Sequence, residues 1–148
     1  MRDKRFVASH RGGPLSPEQH YQLIHWAHAC VLHVLPLSGT TVDIRLINAL
    51  KTAKKWEEGN ATVGDARNAS LAAITVAREN TDPVAIAIAR ATGHAVATAH
   101  MADHALRAAD YALKAVRQFG GAVAAEQEWQ EVQLPLAIKE LVLSARTK

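Results

Sequence analysis

A long alanine-rich run, residues 82–119, constrains the fold of this chain more than any other feature. Alanine occupies 13 of the 31 positions from Ala85 to Ala115. Because alanine is the strongest helix former and adds only a methyl group, the run predicts a central helix that neighbouring helices approach closely. From Gly93 to Gln118 the small and apolar residues recur with the helical period, so one face is expected to be buried.

Gly93 interrupts the alanine-rich run. In the interior of a helix, glycine is less favourable than alanine by about 1 kcal/mol. The sequence therefore predicts one of two features at this position. Either the run breaks at Gly93 into a short helix and a long one, or the glycine marks a close contact with another helix.

Helical start and stop signals occur along the rest of the chain. Ser16, Thr62 and Asp82 are predicted caps, since their side chains accept hydrogen bonds from free backbone amides. Gly59 is a predicted stop, and Pro135 predicts a kink or two short helices near the C-terminus. Short links between five to seven helices imply antiparallel neighbours. The predicted fold class is all-α: a single-domain bundle of antiparallel helices around the alanine-rich helix.

Size and composition favour one domain with an aliphatic core. The chain has 148 residues, of which 49% are hydrophobic and 5% aromatic. It lacks the run of about 18 apolar residues that a membrane span needs, and its N-terminus lacks the apolar segment of a signal peptide. The single cysteine, Cys30, is expected to be a buried and unreactive core residue. These features predict a cytoplasmic protein without a membrane span.

The positive charge of the chain is concentrated at its N-terminus. The net charge is +3, and residues 1–13 contain four basic residues and one acid, which accounts for the whole excess. We therefore expect residues 1–15 to form a flexible basic arm and residues 16–148 to form the single helical domain. Because the helical domain itself is neutral, nucleic-acid binding is not favoured.

The histidines of the alanine-rich run are the strongest chemical signal. His100 and His104 are four positions apart, so on a continuous helix they would share a face with Tyr111, and His94 would point away from them. Two histidines at this spacing can begin a metal site, but such a site needs at least a third ligand. The favoured interpretation is structural, with hydrogen bonds to neighbouring helices. No phosphate-binding loop, nucleophile elbow or Cys-x-x-Cys pair is present, so no catalytic residue or cofactor is predicted.

Several segments resemble the bacterial putative immunity protein family, whose members are small all-helical domains associated with toxin systems. The clearest segment is Thr92-Gly93-His94-Ala95-Val96-Ala97-Thr98-Ala99-His100-Met101, which continues to His104 and Tyr111. The resemblance extends to residues of the first three predicted helices: Trp26, Cys30, His33, Asp43, Arg45, Trp56 and Arg67. It covers about residues 20–115 of the chain.

The resemblance implies a non-catalytic binding module that neutralises a toxin, of unstated identity, by direct contact. Two alternatives come from the residues themselves. One is a metal-binding protein or metal-assisted enzyme that uses His100 and His104, and a weaker one is a nucleic-acid-associated role through the N-terminal arm. On the outer side of the first helix, Tyr21, His25 and Leu32 are expected to be exposed, either as a partner surface or as a homodimer interface.

Overall fold

Seven α-helices form the fold in the computed structural model, which describes residues 2–147. They are α1 (Pro17–Val34), α2 (Ile44–Glu57), α3 (Val63–Glu79), α4 (Pro83–Ala97), α5 (His104–Phe119), α6 (Val123–Val132) and α7 (Leu136–Arg146). The described residues contain no β-strand beyond one isolated backbone bridge. The predicted all-α bundle is confirmed, with the helix number at the upper end of the expected range. None of the described helices has both the length and the hydropathy needed to cross a membrane.

The centre of the bundle is the pair α4 and α5, which together form the predicted alanine-rich core. α4 packs against α3 and α5, and α5 also packs against α1. The alanines on the inner faces of the pair are fully buried: Ala89, Ala91, Ala95, Ala105, Ala108, Ala109, Ala112 and Ala115. Because methyl groups take little space, the helices that cover them can approach closely.

The break in the alanine-rich run lies at residues 98–103 and not at Gly93. α4 continues through Gly93 as far as Ala97, and the turn ends where α5 begins at His104. At the start of the turn, the Thr98 hydroxyl donates to the carbonyl oxygen of His94 at 3.0 Å. Such local side-chain bonds satisfy backbone acceptors where a helix ends.

Gly93 is the close helix contact that the sequence offered as its second possibility. A Cβ atom built at this position would lie 3.3 Å from Cγ1 of Ile74 and 3.5 Å from the carbonyl oxygen of Ser70, both on α3. The Ser70 hydroxyl also donates to the Gly93 carbonyl oxygen at 3.0 Å. The glycine therefore weakens α4 locally but lets α3 and α4 approach each other.

The predicted helix ends are confirmed at five positions. Ser16 and Thr62 each take part in a capping box at the start of α1 and α3. Asp82 accepts a hydrogen bond from an amide in the first turn of α4. After α2, Gly59 has a φ of 82°, a left-handed conformation that glycine adopts without strain. Pro135 separates α6 from α7, which are the two short helices expected there.

The N-terminal segment, expected as a flexible basic arm over residues 1–15, packs against the helices in its described part. Phe6 and Leu15 are 0% and 1% exposed and belong to the hydrophobic core. The guanidinium of Arg5 donates to the Ser144 hydroxyl of α7 at 2.6 Å. The physical reason for the difference is apolar burial, since burying two large side chains stabilises the segment by about 1.5–3 kcal/mol each.

Candidate functional site

The junction between α4 and α5 brings histidines from four parts of the chain together. His20 of α1 is 6% exposed, and its Nε2 atom lies 2.6 Å from the carbonyl oxygen of Thr98. Because a carbonyl oxygen only accepts hydrogen bonds, the proton is on Nε2. The His20 ring also contacts Trp56 of α2, with 4.8 Å between the ring centroids. His20 thereby holds the junction against α1 and α2.

His94 and His104 are hydrogen-bonded to each other across the junction. Their Nδ1 atoms are 2.8 Å apart, so one ring donates and the other accepts through an unprotonated nitrogen. His94 also stacks on Tyr111, with 5.3 Å between the ring centroids and 7° between the ring planes. The expectation that His94 points away from His104 and Tyr111 was wrong. The turn at residues 98–103 folds the start of α5 back against the last turns of α4.

His100 does not share a helix face with His104, contrary to the sequence-based expectation. It lies in the turn beside Met101, which is partly buried. Nη2 of Arg67 on α3 is 3.0 Å from Nε2 of His100. A guanidinium group only donates hydrogen bonds, so this histidine nitrogen is the acceptor. The contact joins α3 to the junction.

A metal site at His100 and His104 would require the two rings to lie on one helix face, and they do not. The two rings contact different partners, as described above. Among residues 2–147, no group of three or more His, Cys, Asp or Glu side chains is positioned to hold a metal ion. Protein metal sites commonly use at least three such ligands. The metal-dependent alternative gains no support from the structure.

The histidines at the junction have lowered pKa values. Burial, with the nearby His104 and Arg107 adding to it, lowers the pKa of His94 to about 4. Burial also lowers the pKa of His104, although the charge of Asp103 opposes this effect. For His100 the causes are burial and then the positive charge of Arg67. The lowered pKa values favour the neutral form of all three rings at pH 7, and the accepting nitrogens of His100 and of the His94–His104 pair carry no proton.

We expect the free energy of unfolding to fall as the pH is lowered from 7 to 5. The pKa of His94 is lower in the folded state than its ordinary value of 6.5, so the unfolded chain binds more protons below that pH. The stability that depends on neutral His94 is therefore present above pH 6.5 and lost as the pH falls towards about 4. Urea denaturation at several pH values measures this loss.

Two variants test whether this pH dependence comes from His94. His94→Gln removes one titrating group from the junction and should make the stability less sensitive to pH. His10→Gln alters an exposed histidine of the N-terminal segment and is the matched control, which should change the pH dependence less than His94→Gln does. Equal stability of the wild-type chain at pH 7 and pH 5 would contradict the prediction.

A second polar cluster surrounds Trp26 and connects four helices. The indole Nε1 donates to the carbonyl oxygen of Gln130 at 2.8 Å, and the Arg146 guanidinium lies 5.4 Å from the ring centroid. The Gln130 side chain is fully buried, donates to the Ala109 carbonyl oxygen and accepts from Arg146. The sequence alone does not identify Gln130 as a core residue, because a glutamine gives no hydrophobic signal.

The remaining polar signature residues connect neighbouring helices away from the junction. Nδ1 of His33 on α1 lies 2.6 Å from the carboxylate of Glu126 on α6. Arg45 of α2 forms ion pairs with Asp43 at 2.8 Å and with Glu79 of α3 at 2.7 Å. The guanidinium holds the pKa values of both carboxyl groups below their ordinary range. These pairs fix the spacing of α1, α2, α3 and α6.

Cys30 lies in the core of α1, and its expected burial is confirmed. The side chain is 0% exposed and is not part of a disulfide bond. Burial raises the pKa of the thiol, which suppresses the nucleophilic thiolate form. Cys30 therefore acts as a small apolar core residue.

The outer side of α1 is exposed, as the sequence predicts, but two of its three side chains contact other helices. Tyr21 is 41% exposed and packs edge-on against Trp56, with 5.2 Å between the ring centroids. Nδ1 of His25 lies 2.8 Å from the carboxylate of Glu57. Leu32 is 46% exposed. These residues are not grouped with the histidines of the junction.

The fold and the junction together define a small all-helical domain in which the histidines of the junction bond to other residues of the chain. The sequence matches the family described as Imm-5 like putative immunity protein over residues 13–137 of the 148-residue chain. The chain belongs to this family, and the resemblance identified in the sequence is confirmed. No curated protein and no solved structure matches the chain.

Proposed function

We propose that this chain is an immunity protein that neutralises a partner toxin by direct contact and without catalysis. The observation that carries the proposal is the family match, which spans residues 13–137. The proposed setting is the cytoplasm of a bacterium that also encodes the toxin. The partner is a protein, and the proposed mechanism requires neither a cofactor nor a metal ion.

The interior of the domain supports a binding role. Side chains connect the elements of the bundle. His20 connects α1 to the turn after α4, Trp26 connects α1 to α6, and Arg45 connects α2 to α3. A surface that is already ordered loses less conformational entropy when a partner binds. The side chains with the greatest chemical reactivity are engaged within the fold, since Cys30 is buried and His94 is bonded to another histidine.

The proposal is tested by producing the protein encoded by the neighbouring gene in a bacterial host, with and without this chain. We expect that protein to stop growth and this chain to restore it. The two purified proteins should form a stoichiometric complex in size-exclusion chromatography with light scattering. The same measurement on the chain alone shows whether it is a homodimer.

Two results would contradict the proposal in different ways. Restored growth without a complex would exclude neutralisation by direct contact. A complex that forms but leaves growth arrested would show binding without neutralisation. The unrelated alternative, a metal-dependent activity, would be supported only by a bound metal ion in the purified chain that His104→Ala removes.

A further inference from the structure

Basic side chains from four parts of the chain meet around the turn between α4 and α5. We call this surface the basic face and define it by Arg11, Arg67, His100 and Arg107, which come from the N-terminal segment, α3, the turn and α5. The three arginines are exposed. None of them takes part in an ion pair formed within the described residues. Within the described residues, the fold therefore leaves these three arginines without a carboxylate at ion-pair distance, although the charge of Arg107 acts on the Asp110 carboxyl of the same helix.

The groups of the basic face are close enough to influence one another. Arg67 contacts His100 directly at 3.0 Å. The charges of Arg67 and Arg11 add to burial in lowering the pKa of His100, and Arg107 has the same effect on the adjacent His104. An acid, Asp103, also lies here, but the Arg2 guanidinium is 3.8 Å from its carboxylate. The basic face consequently carries a net positive potential.

Exposed aliphatic side chains flank the arginine at the centre of this face. Val63 and Leu71 lie four residues before and after Arg67 on α3, so the three side chains project from the same side of the helix. Val63 is 38% exposed and Leu71 is 63% exposed. Arginine is enriched at the energetically important centre of protein–protein interfaces, and the contacts that surround such a residue exclude water from it. A surface for single-stranded nucleic acid would also present aromatic side chains on which bases stack, and Val63 and Leu71 offer none.

The acidic helix α6 offers no comparable set of unpaired charges. Nδ1 of His33 lies 2.6 Å from the carboxylate of Glu126, and Glu131 lies 3.1 Å from the guanidinium of Arg146. Among the described residues, Glu128 is the one acid of this helix without an ion-pair or hydrogen-bond partner. A basic partner would have to compete with these internal pairs. The charge that the fold leaves available at the junction is positive, which favours an acidic partner.

We propose that the basic face is the surface that binds the partner, which presents carboxylates to Arg11, Arg67 and Arg107 and an apolar side chain to Leu71. This inference rests on the proposed function and adds the chemistry of the partner. It also restricts the mechanism of neutralisation. A toxin bound in this way is held through an acidic surface of its own. The basic face cannot neutralise a toxin by imitating a nucleic acid at a basic surface of that toxin.

Charge reversal at the centre of the face is the direct test. Arg67→Glu should weaken binding of the neighbouring gene product by about 100-fold, because a central charged contact becomes repulsive. Lys51→Glu, the matched control, makes the same charge change at an exposed position of α2 and should change the affinity by less than about threefold. Leu71→Asp should weaken binding as well. Isothermal titration calorimetry gives the affinities, and circular dichroism confirms that each variant is folded.

Salt dependence and growth rescue give independent measurements. The wild-type affinity should fall as the salt concentration rises, because ions screen exposed charges. Arg67→Gln should reduce this dependence, and Arg67→Glu should fail to restore growth in the host that produces the neighbouring gene product. Lys51→Glu should restore growth as the wild-type chain does.

The possible failures are distinguishable. If Arg67→Glu and Leu71→Asp bind and restore growth like the wild-type chain, the basic face is not the binding surface, and the proposed function stands. If the wild-type chain neither binds nor restores growth, both proposals fail. A short DNA duplex that binds the wild-type chain in fluorescence anisotropy, and no longer binds Arg67→Glu, would replace the protein partner by a nucleic acid.

Discussion

Trp26→Ala is expected to lower the free energy of unfolding by about 3–5 kcal/mol, the range for removing a large aromatic side chain from a core. Trp26 is 1% exposed and is among the largest fully buried side chains. Its loss leaves a cavity and also removes one of the two donors to the Gln130 carbonyl oxygen, which accepts from the Gln133 amide as well. Because small domains are stable by only about 5–15 kcal/mol, the variant should unfold at a much lower urea concentration.

Two further variants separate the contributions of Trp26. Trp26→Phe keeps most of the apolar volume but removes the indole donor, so we expect a smaller loss of about 1–3 kcal/mol. Trp129→Ala removes a partly buried tryptophan that stacks on His33 and should destabilise the domain less than Trp26→Ala. If Trp26→Ala were no more harmful than Trp129→Ala, Trp26 would not be a central core residue.

Local signals in the sequence were sufficient to predict the helices. The caps at Ser16, Thr62 and Asp82 act within their own first turns, so their effect does not depend on the rest of the fold. The position of the break in the alanine-rich run, in contrast, could not be predicted from local signals. Helix propensity made Gly93 the weakest point of the alanine-rich run, but packing against α3 keeps α4 intact there. The turn after Ala97 follows residues that are compatible with a helix, so periodicity did not locate it.

The candidate site could not be predicted because it depends on that turn. The four-residue spacing of His100 and His104 places them on one face only if the helix is continuous, and it is not. His94 meets His104 because the chain reverses direction between them. No local pattern predicts such a contact. The hydrogen bonds of the junction histidines therefore follow from tertiary structure. The sequence alone indicated only that these histidines were candidates for a site.

The basic face shows how two sequence features combine in the fold. The excess positive charge of residues 1–13 was apparent, but the burial of Phe6 and Leu15 was not anticipated. That burial holds Arg11 beside the junction, where it acts on His100 together with Arg67. Charges that the sequence assigned to a solvated arm and to an unrelated helix thus belong to one surface.

Gly93→Leu is expected to destabilise the domain by roughly 3 kcal/mol, the upper part of the usual range for overpacking a core. Even the first carbon of the new side chain would lie 3.3 Å from Cγ1 of Ile74 and 3.5 Å from the Ser70 carbonyl oxygen. The remaining three carbons would extend into α3, so α3 and α4 would have to separate. Urea denaturation of the variant measures the loss.

Gly93→Ala is the matched control, because it adds only the Cβ atom. Its effect is the difference between two opposing terms: a gain of about 1 kcal/mol in helix propensity and the strain of one tight contact with a side-chain carbon of Ile74. We therefore expect a net change within about 1 kcal/mol of zero. Equal and small effects of alanine and leucine would show that α3 and α4 are not in close contact at Gly93. A large loss with alanine alone would mean that Ile74 cannot move aside.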